Sequence, residues 1–166
     1  MKIVDQDGKL VVTDFNEEEA YQIACNIEKE GIRFYKKLKT KQTDAKVREM
    51  LDFMINDEEK HLKFFESARN ELQKQMDVEV EANDLIMSMD FGIFQPYESI
   101  ENLEEIIADS KRALKLGAVV ENKAIAFYTE CKKQISRGSV KREINKIILE
   151  EIKHKALFEE MIKRIS

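Results

Sequence analysis

The chain contains two histidines, and each lies three residues after a glutamate. His61 follows Glu58 in the segment DEEKH, and His154 follows Glu151 in the segment LEEIKH. Residues three apart share a face of an α-helix, so each pair can direct one carboxylate and one imidazole at the same ion. A single pair of this kind is ordinarily a solvated surface pair. Two pairs that use every histidine in the chain instead indicate a common chemical role.

The two pairs belong to an internal repeat whose offset is 93 residues, the difference between positions 154 and 61. At this offset the segment EKEGIRFY lies on ENKAIAFY without a gap. A repeat of this length indicates two copies of one helical hairpin. Its best-matched members are polar residues on otherwise apolar faces, which core packing does not require. They are Glu28, Tyr35, Glu58 and His61 in the first copy and Glu121, Tyr128, Glu151 and His154 in the second.

Metal binding is the chemistry that these residue types favour. Four carboxylates and two imidazoles inside a helical bundle would be too costly to leave unpaired, and two divalent ions would balance the four carboxylate charges. Carboxylate oxygen and imidazole nitrogen suit iron or manganese, and zinc could occupy the same ligands in purified protein. The predicted metal ligands are Glu28, Glu58, His61, Glu121, Glu151 and His154.

The elements that position these ligands are predicted to be helical. Glycine is scarce, Pro96 is the only proline, and apolar residues recur at helical spacing. Asn16 and Asp109 are matched N-caps of the two copies, and Thr43 or Asp44 caps the second helix. The predicted fold is an all-α four-helix bundle made of two repeated hairpins. Its segments, within a single domain of residues 1–166, are an N-terminal β-hairpin at 1–15, a first helical hairpin at 16–76, a long crossover at 77–108 and a second helical hairpin at 109–166.

Composition argues against several other classes of protein. The net charge of -5 and the lack of a basic stripe exclude a nucleic-acid surface, and no apolar run approaches a membrane span. The N-terminus lacks the apolar stretch of a signal peptide, so we expect a cytoplasmic protein. Cys25 and Cys131 are predicted to be small core residues, since their matches in the repeat are Ala118 and Leu38.

The motifs ExxxxxFY and ExxH each occur twice, in the same order. With these motifs the chain resembles the ferritin-like superfamily, and specifically the rubrerythrin-like di-iron proteins, over about residues 16–162. The resemblance implies a ferritin-like bundle that holds two iron ions, or manganese or a mixed pair. It implies that Glu58 and Glu151 bridge the metals and that Glu28 and Glu121 are terminal ligands. By the same resemblance, the hydroxyls of Tyr35 and Tyr128 hydrogen-bond ligand carboxylates.

The resemblance implies an oxidoreductase that reduces peroxide or dioxygen. The chain has no four-cysteine rubredoxin segment, so electrons would come from an external donor. Rubrerythrins carry a further glutamate where this chain has Ala124, so a mechanism that relies on ligand exchange at that glutamate is not expected. Two alternatives stay open: an iron-binding or sequestration protein without turnover, and a structural bundle with vestigial ligands. A homodimer is expected, in which subunits could exchange hairpins across the long connection.

Overall fold

The computed structural model describes residues 2–6, 9–13, 15–76, 93 and 103–165. Five helices are present in this part of the chain, and they confirm the predicted all-α class with a four-helix bundle. No described helix has an apolar stretch that would let it cross a membrane. The helices are α1 (Glu17–Lys41), α2 (Ala45–Met76), α3 (Leu103–Ala108), α4 (Ser110–Gln134) and α5 (Gly138–Arg164).

Two short strands precede the bundle, β1 (Lys2–Gln6) and β2 (Lys9–Thr13). They pair in antiparallel register with Val4 opposite Val11. The packing of this segment against the bundle or a partner chain stays a prediction. The predicted crossover, apart from Ile93 and the short helix α3, lies outside the described residues.

Side-chain caps set where the long helices begin. Asn16 and Glu19 exchange two hydrogen bonds of 2.9 Å between side chain and backbone, which is a complete capping box for α1. Of the two candidates for the start of α2, Asp44 rather than Thr43 accepts backbone N–H groups of the first turn. Asp109 caps α4 in the same way, at 2.7 Å. The matched caps therefore begin the first helix of each copy at equivalent positions.

The two helices of each hairpin lie antiparallel. Lys36 of α1 pairs with Glu59 of α2 at 3.4 Å, while Lys29, two turns earlier in α1, pairs with Glu66 further along α2 at 3.5 Å. Helices α4 and α5 are joined by hydrogen bonds in the same antiparallel sense. The two helices of a hairpin contact each other far more extensively than helices of different hairpins do. Each hairpin is therefore the main packing unit.

The aromatic core shows that the sequence repeat is also a repeat in space. Phe65 stacks on Tyr128 with ring centroids 5.5 Å apart, and Phe158 packs on Tyr35 at 5.8 Å. Phe158 is the offset match of Phe65, and Tyr128 is the match of Tyr35. Each aromatic of one hairpin thus packs on the tyrosine of the other, as an approximate twofold axis requires.

Gly117 provides a packing prediction. A Cβ atom at this position would lie 2.4 to 2.8 Å from the fully buried ring of Phe158. Gly117→Ala is expected to destabilise the protein by about 1–3 kcal/mol because the core must shift to admit the methyl group. Urea unfolding of the variant would measure this. Gly138→Ala is the control, since its Cβ would meet only Arg142, at 3.9 Å. Equal stability of the two variants would contradict the account.

Candidate metal centre

The six predicted ligands come together at the centre of the bundle. Helices α1 and α4 each supply one glutamate, and α2 and α5 each supply one Glu-x-x-His pair. One chain contributes all six residues. They form two overlapping groups, in each of which one ligand atom from every residue lies within 4.8 Å of the others. The groups are Glu28, Glu58, His61 and Glu151, and Glu58, Glu121, Glu151 and His154.

Two of the carboxylates are shared. Glu58 and Glu151 belong to both groups, whereas Glu28 and Glu121 each belong to one. Membership of both groups is what a bridging role for Glu58 and Glu151 would require, and that role stays a prediction. All six side chains are buried, with exposed fractions between 1% and 5%. Solvent therefore cannot compensate the charges, and the compensation must come from within the cluster.

The histidine rings direct Nδ1 into the cluster. Nδ1 of His61 lies 3.2 Å from Glu151 and 3.3 Å from Glu58, and Nδ1 of His154 lies 3.0 Å from Glu151. The two rings face each other with centroids 6.3 Å apart. Nδ1 is therefore the nitrogen that each imidazole would offer to an ion in its own group.

Two carboxylates outside the cluster hold the opposite ring nitrogens. Nε2 of His61 lies 2.8 Å from Glu150, and Nε2 of His154 lies 3.3 Å from Asp57. When Nε2–H donates to such a carboxylate, the lone pair of Nδ1 is left free for a metal and the ring orientation is fixed. Each partner comes from the other hairpin, so each half of the molecule orients the histidine of its counterpart.

Asp57 and Glu150 were not among the site residues predicted from the sequence. A signal was present, because both are acidic, both immediately precede a shared glutamate, and they match at the offset of 93. Acidic residues are frequent on the exposed faces of these helices, so that signal was weak. The contacts that Asp57 and Glu150 make with the histidines of the opposite hairpin show that the two residues play matching roles.

The tyrosines also act across the two hairpins. The hydroxyl of Tyr35 donates a hydrogen bond to Glu121, and that of Tyr128 donates one to Glu28. The hydrogen bonding implied by the family resemblance is therefore present, with each tyrosine serving the terminal glutamate of the opposite copy. Both phenols are fully buried, and burial followed by the nearby carboxylate charges raises the pKa of each well above its usual value. They remain hydrogen-bond donors at neutral pH.

A small cavity adjoins the cluster on the side of α1 and α4. Gly31 and Ala124 line it together with both tyrosines and the four carboxylates, and neither histidine takes part. The cavity volume is about 10 Å³, which is close to the room that one water molecule needs. The two small residues thus leave space for a ligand of very few atoms beside the carboxylates.

The protonation equilibria reflect the crowding of like charges. Burial, with the neighbouring charge of Glu28, raises the pKa of Glu58 to about 8. Burial and the charge of Glu151 raise the pKa of Glu121 well above its usual value. Burial alone would lower the pKa of His154, but the hydrogen bond and charge of Glu151 outweigh it and raise the value to about 9. Without bound cations, protons must therefore neutralise part of the cluster.

The donor set fits two divalent cations. Oε1 of Glu151 is buried and makes no hydrogen bond of good geometry, although Nδ1 of His61 lies 3.2 Å away, so a shared ligand retains acceptor capacity at the centre of the cluster. An unsatisfied buried oxygen is costly unless something binds it. Four carboxylates carry the charge that two divalent ions would balance, and oxygen with imidazole nitrogen suits iron or manganese. The residues thus match a di-metal site in position, charge and ligand type.

The two cysteines take no part in the cluster. Both are buried free thiols, and neither belongs to a metal-binding group among the described residues. Burial raises the pKa of Cys25 and of Cys131 to about 12. The thiols therefore stay protonated at neutral pH, as expected for small core residues.

Comparison with known proteins gives an independent view of the first half of the chain. The rubrerythrin family model matches residues 2–69, which include Glu28, Glu58 and His61. No curated protein and no solved structure matches the chain significantly. The second copy lies outside the matched range, but the structure places its ligands in the same buried cluster. The family match over residues 2–69 and the buried cluster together confirm the resemblance seen in the sequence, which is to rubrerythrin-like proteins of the ferritin-like superfamily.

Proposed function

We propose that the cluster binds two metal ions, iron foremost, and that the loaded protein reduces hydrogen peroxide or dioxygen with electrons from an external donor. The observation that carries the proposal is the burial of four carboxylates and two imidazoles in two overlapping groups. Unpaired charges of this number are not retained in a protein interior for packing. The rubrerythrin match supports iron as the first candidate, and the donor set also suits manganese.

Different residues would bind the metals and orient the ligands. Nδ1 of each histidine would bind one ion, and Glu150 and Asp57 fix the ring orientation from outside. Glu58 and Glu151 lie in both groups and would hold the two ions close together. When bound by these residues, two ferrous ions would supply the two electrons that, with two protons, reduce hydrogen peroxide to two molecules of water.

The cavity supports a very small substrate. It has room for about one water molecule, so it favours an oxidant of very few atoms over an organic substrate of ordinary size. Tyr35 and Tyr128 line it with their hydroxyls committed to Glu121 and Glu28. These hydrogen bonds keep the terminal carboxylates in place beside the cavity.

The proposal takes its electrons from an external donor. These 166 residues contain two cysteines, both buried, and so do not themselves supply a four-cysteine iron centre. The predicted homodimer and the predicted cytoplasmic location stay predictions.

Peroxide turnover tests the proposed reaction. Apoprotein would be loaded anaerobically with two ferrous ions per chain, and hydrogen peroxide consumption would be followed with a chemical reductant in excess. We expect many turnovers per chain and repeated bleaching and recovery of the ferric absorption. Glu58→Ala treated in the same way is the control for iron in solution. Tight binding of two ions with a single oxidation and no further consumption would instead assign iron binding without turnover.

Removal of one tyrosine hydroxyl tests the orientation of the ligands. Tyr35→Phe is expected to weaken metal binding in the group of Glu121 about tenfold, since a ligand carboxylate loses the partner that orients it. Titration of apoprotein with Mn²⁺ would measure this. Tyr21→Phe is the matched control, because the Tyr21 hydroxyl bonds Glu17 at 2.8 Å, outside the cluster. Unchanged affinity in Tyr35→Phe would contradict the assigned role.

A further inference from the structure

The two outer carboxylates differ in their access to solvent. The side chain of Glu150, the partner of His61, is 43% exposed. The side chain of Asp57, the partner of His154, is 11% exposed and also pairs with Lys60 at 2.6 Å. Asp57 is thus a buried carboxylate held in place by Lys60, whereas Glu150 reaches the surface.

The two histidines also differ in the side chains that pack on their rings. Phe53 packs edge-on against His154, with ring centroids 6.0 Å apart and planes at 88°. The offset of 93 places Lys146 at the matching position of the second copy. The side chain of Lys146 is directed to Glu143, one turn earlier in α5, at 2.7 Å. Among the described residues, the aromatic cover over His154 therefore has no aromatic counterpart at the matching position of the second copy.

We propose that the two metal positions differ in lability: the ion in the His61 group exchanges with solvent, and the ion in the His154 group is retained. This inference rests on the proposed binding of two metals. Release of an ion requires its imidazole to move away, and the imidazole must first leave its outer carboxylate. Water replaces that hydrogen bond at the exposed Glu150. At Asp57, whose side chain is 11% exposed, water has less access to the carboxylate oxygen that His154 leaves, and the ring must also move past Phe53, so release is slower.

Metal release to a chelator tests the inference without using catalysis. The protein would be loaded with two Co²⁺ per chain and mixed with excess EDTA while cobalt absorption is followed. We expect two phases of equal amplitude whose rates differ at least about fivefold, as expected when only one step breaks a buried hydrogen bond. Phe53→Ala is expected to accelerate the slow phase alone, and Glu150→Ala the fast phase alone.

Matched controls separate local effects from general loosening of the bundle. Leu149→Ala removes an apolar side chain whose exposure, 57%, is close to the 51% of Phe53, and it should change neither phase. Release of both ions at one rate, or acceleration of the fast phase by Phe53→Ala, would overturn the inference and leave the proposed function standing. Uptake of fewer than two Co²⁺ per chain by the wild-type protein would overturn both.

Discussion

Glu58→Ala is expected to abolish stoichiometric binding at both metal positions. Glu58 is one of the two carboxylates that belong to both groups, so its removal takes a ligand from each ion. Loss of a residue that only hydrogen-bonds a metal ligand weakens metal binding about 10- to 100-fold. Loss of Glu58, a ligand of both ions, should weaken binding by more than this at both positions. Elemental analysis after loading and gel filtration would measure the metal retained per chain.

His61→Ala gives the contrasting result, because His61 belongs to one group only. We expect this variant to retain about one ion per chain, held by the group that contains His154. Glu59→Ala is the control, since Glu59 is next to the shared ligand but directs its side chain to Lys36 on the surface. Retention of two ions by Glu58→Ala would show that the shared glutamates do not build the site.

The second large effect is the dependence of stability on metal and pH. Glu58 ionises near pH 4.5 when unfolded but only at about 8 in the folded apoprotein. Its stabilising contribution is therefore complete below pH 4.5 and is lost as the pH rises through 8. The raised pKa of His154 acts with the same sign: its contribution is complete below pH 6.5 and is lost as the pH rises through about 9. The apoprotein should thus lose stability between about pH 6 and about pH 9.

Divalent metal is expected to reverse this loss. Metal replaces the protons that otherwise neutralise the carboxylates, and fewer protons compete for the ligands as the pH rises. With free metal at a thousandfold excess over its Kd, each site adds about 4 kcal/mol. Two sites should raise the Tm by more than about 15 °C. Thermal unfolding would be measured with and without Mn²⁺ from pH 6 to pH 9. We expect the difference between the two Tm values to widen as the pH rises.

A difference in Tm that stays constant over this pH range would contradict the account of the protonated cluster. The absence of any metal effect would contradict the site itself. Glu58→Ala again provides the control, since it should show little response to Mn²⁺ at any pH.

Much of the site could be predicted from the sequence because the repeat is a physical constraint. Asn16 and Asp109 start the first helix of each copy at matched positions, and helical spacing then fixes which residues share a face. Glu58 and His61 are three residues apart, so their relation is local and needs no knowledge of the fold. The repeat at the offset of 93 then predicts that the matching residues of the second half, Glu151 and His154, belong to the same site.

The contacts between hairpins could not be predicted in the same way. The pairing of Tyr35 with Glu121, and of His61 with Glu150, depends on how one hairpin is rotated against the other. Helical periodicity carries no information about that rotation. The different environments of Asp57 and Glu150 are a further case, since both are acidic residues at matched positions and only packing distinguishes them.

Anomalous diffraction from crystals of the Mn²⁺-loaded protein would test the two-metal site most directly. The account predicts two anomalous peaks per chain, one beside Nδ1 of His61 and one beside Nδ1 of His154. Glu58 and Glu151 should lie between the peaks and contact both. No peak in the bundle, or peaks bound only by surface carboxylates, would contradict the central claim.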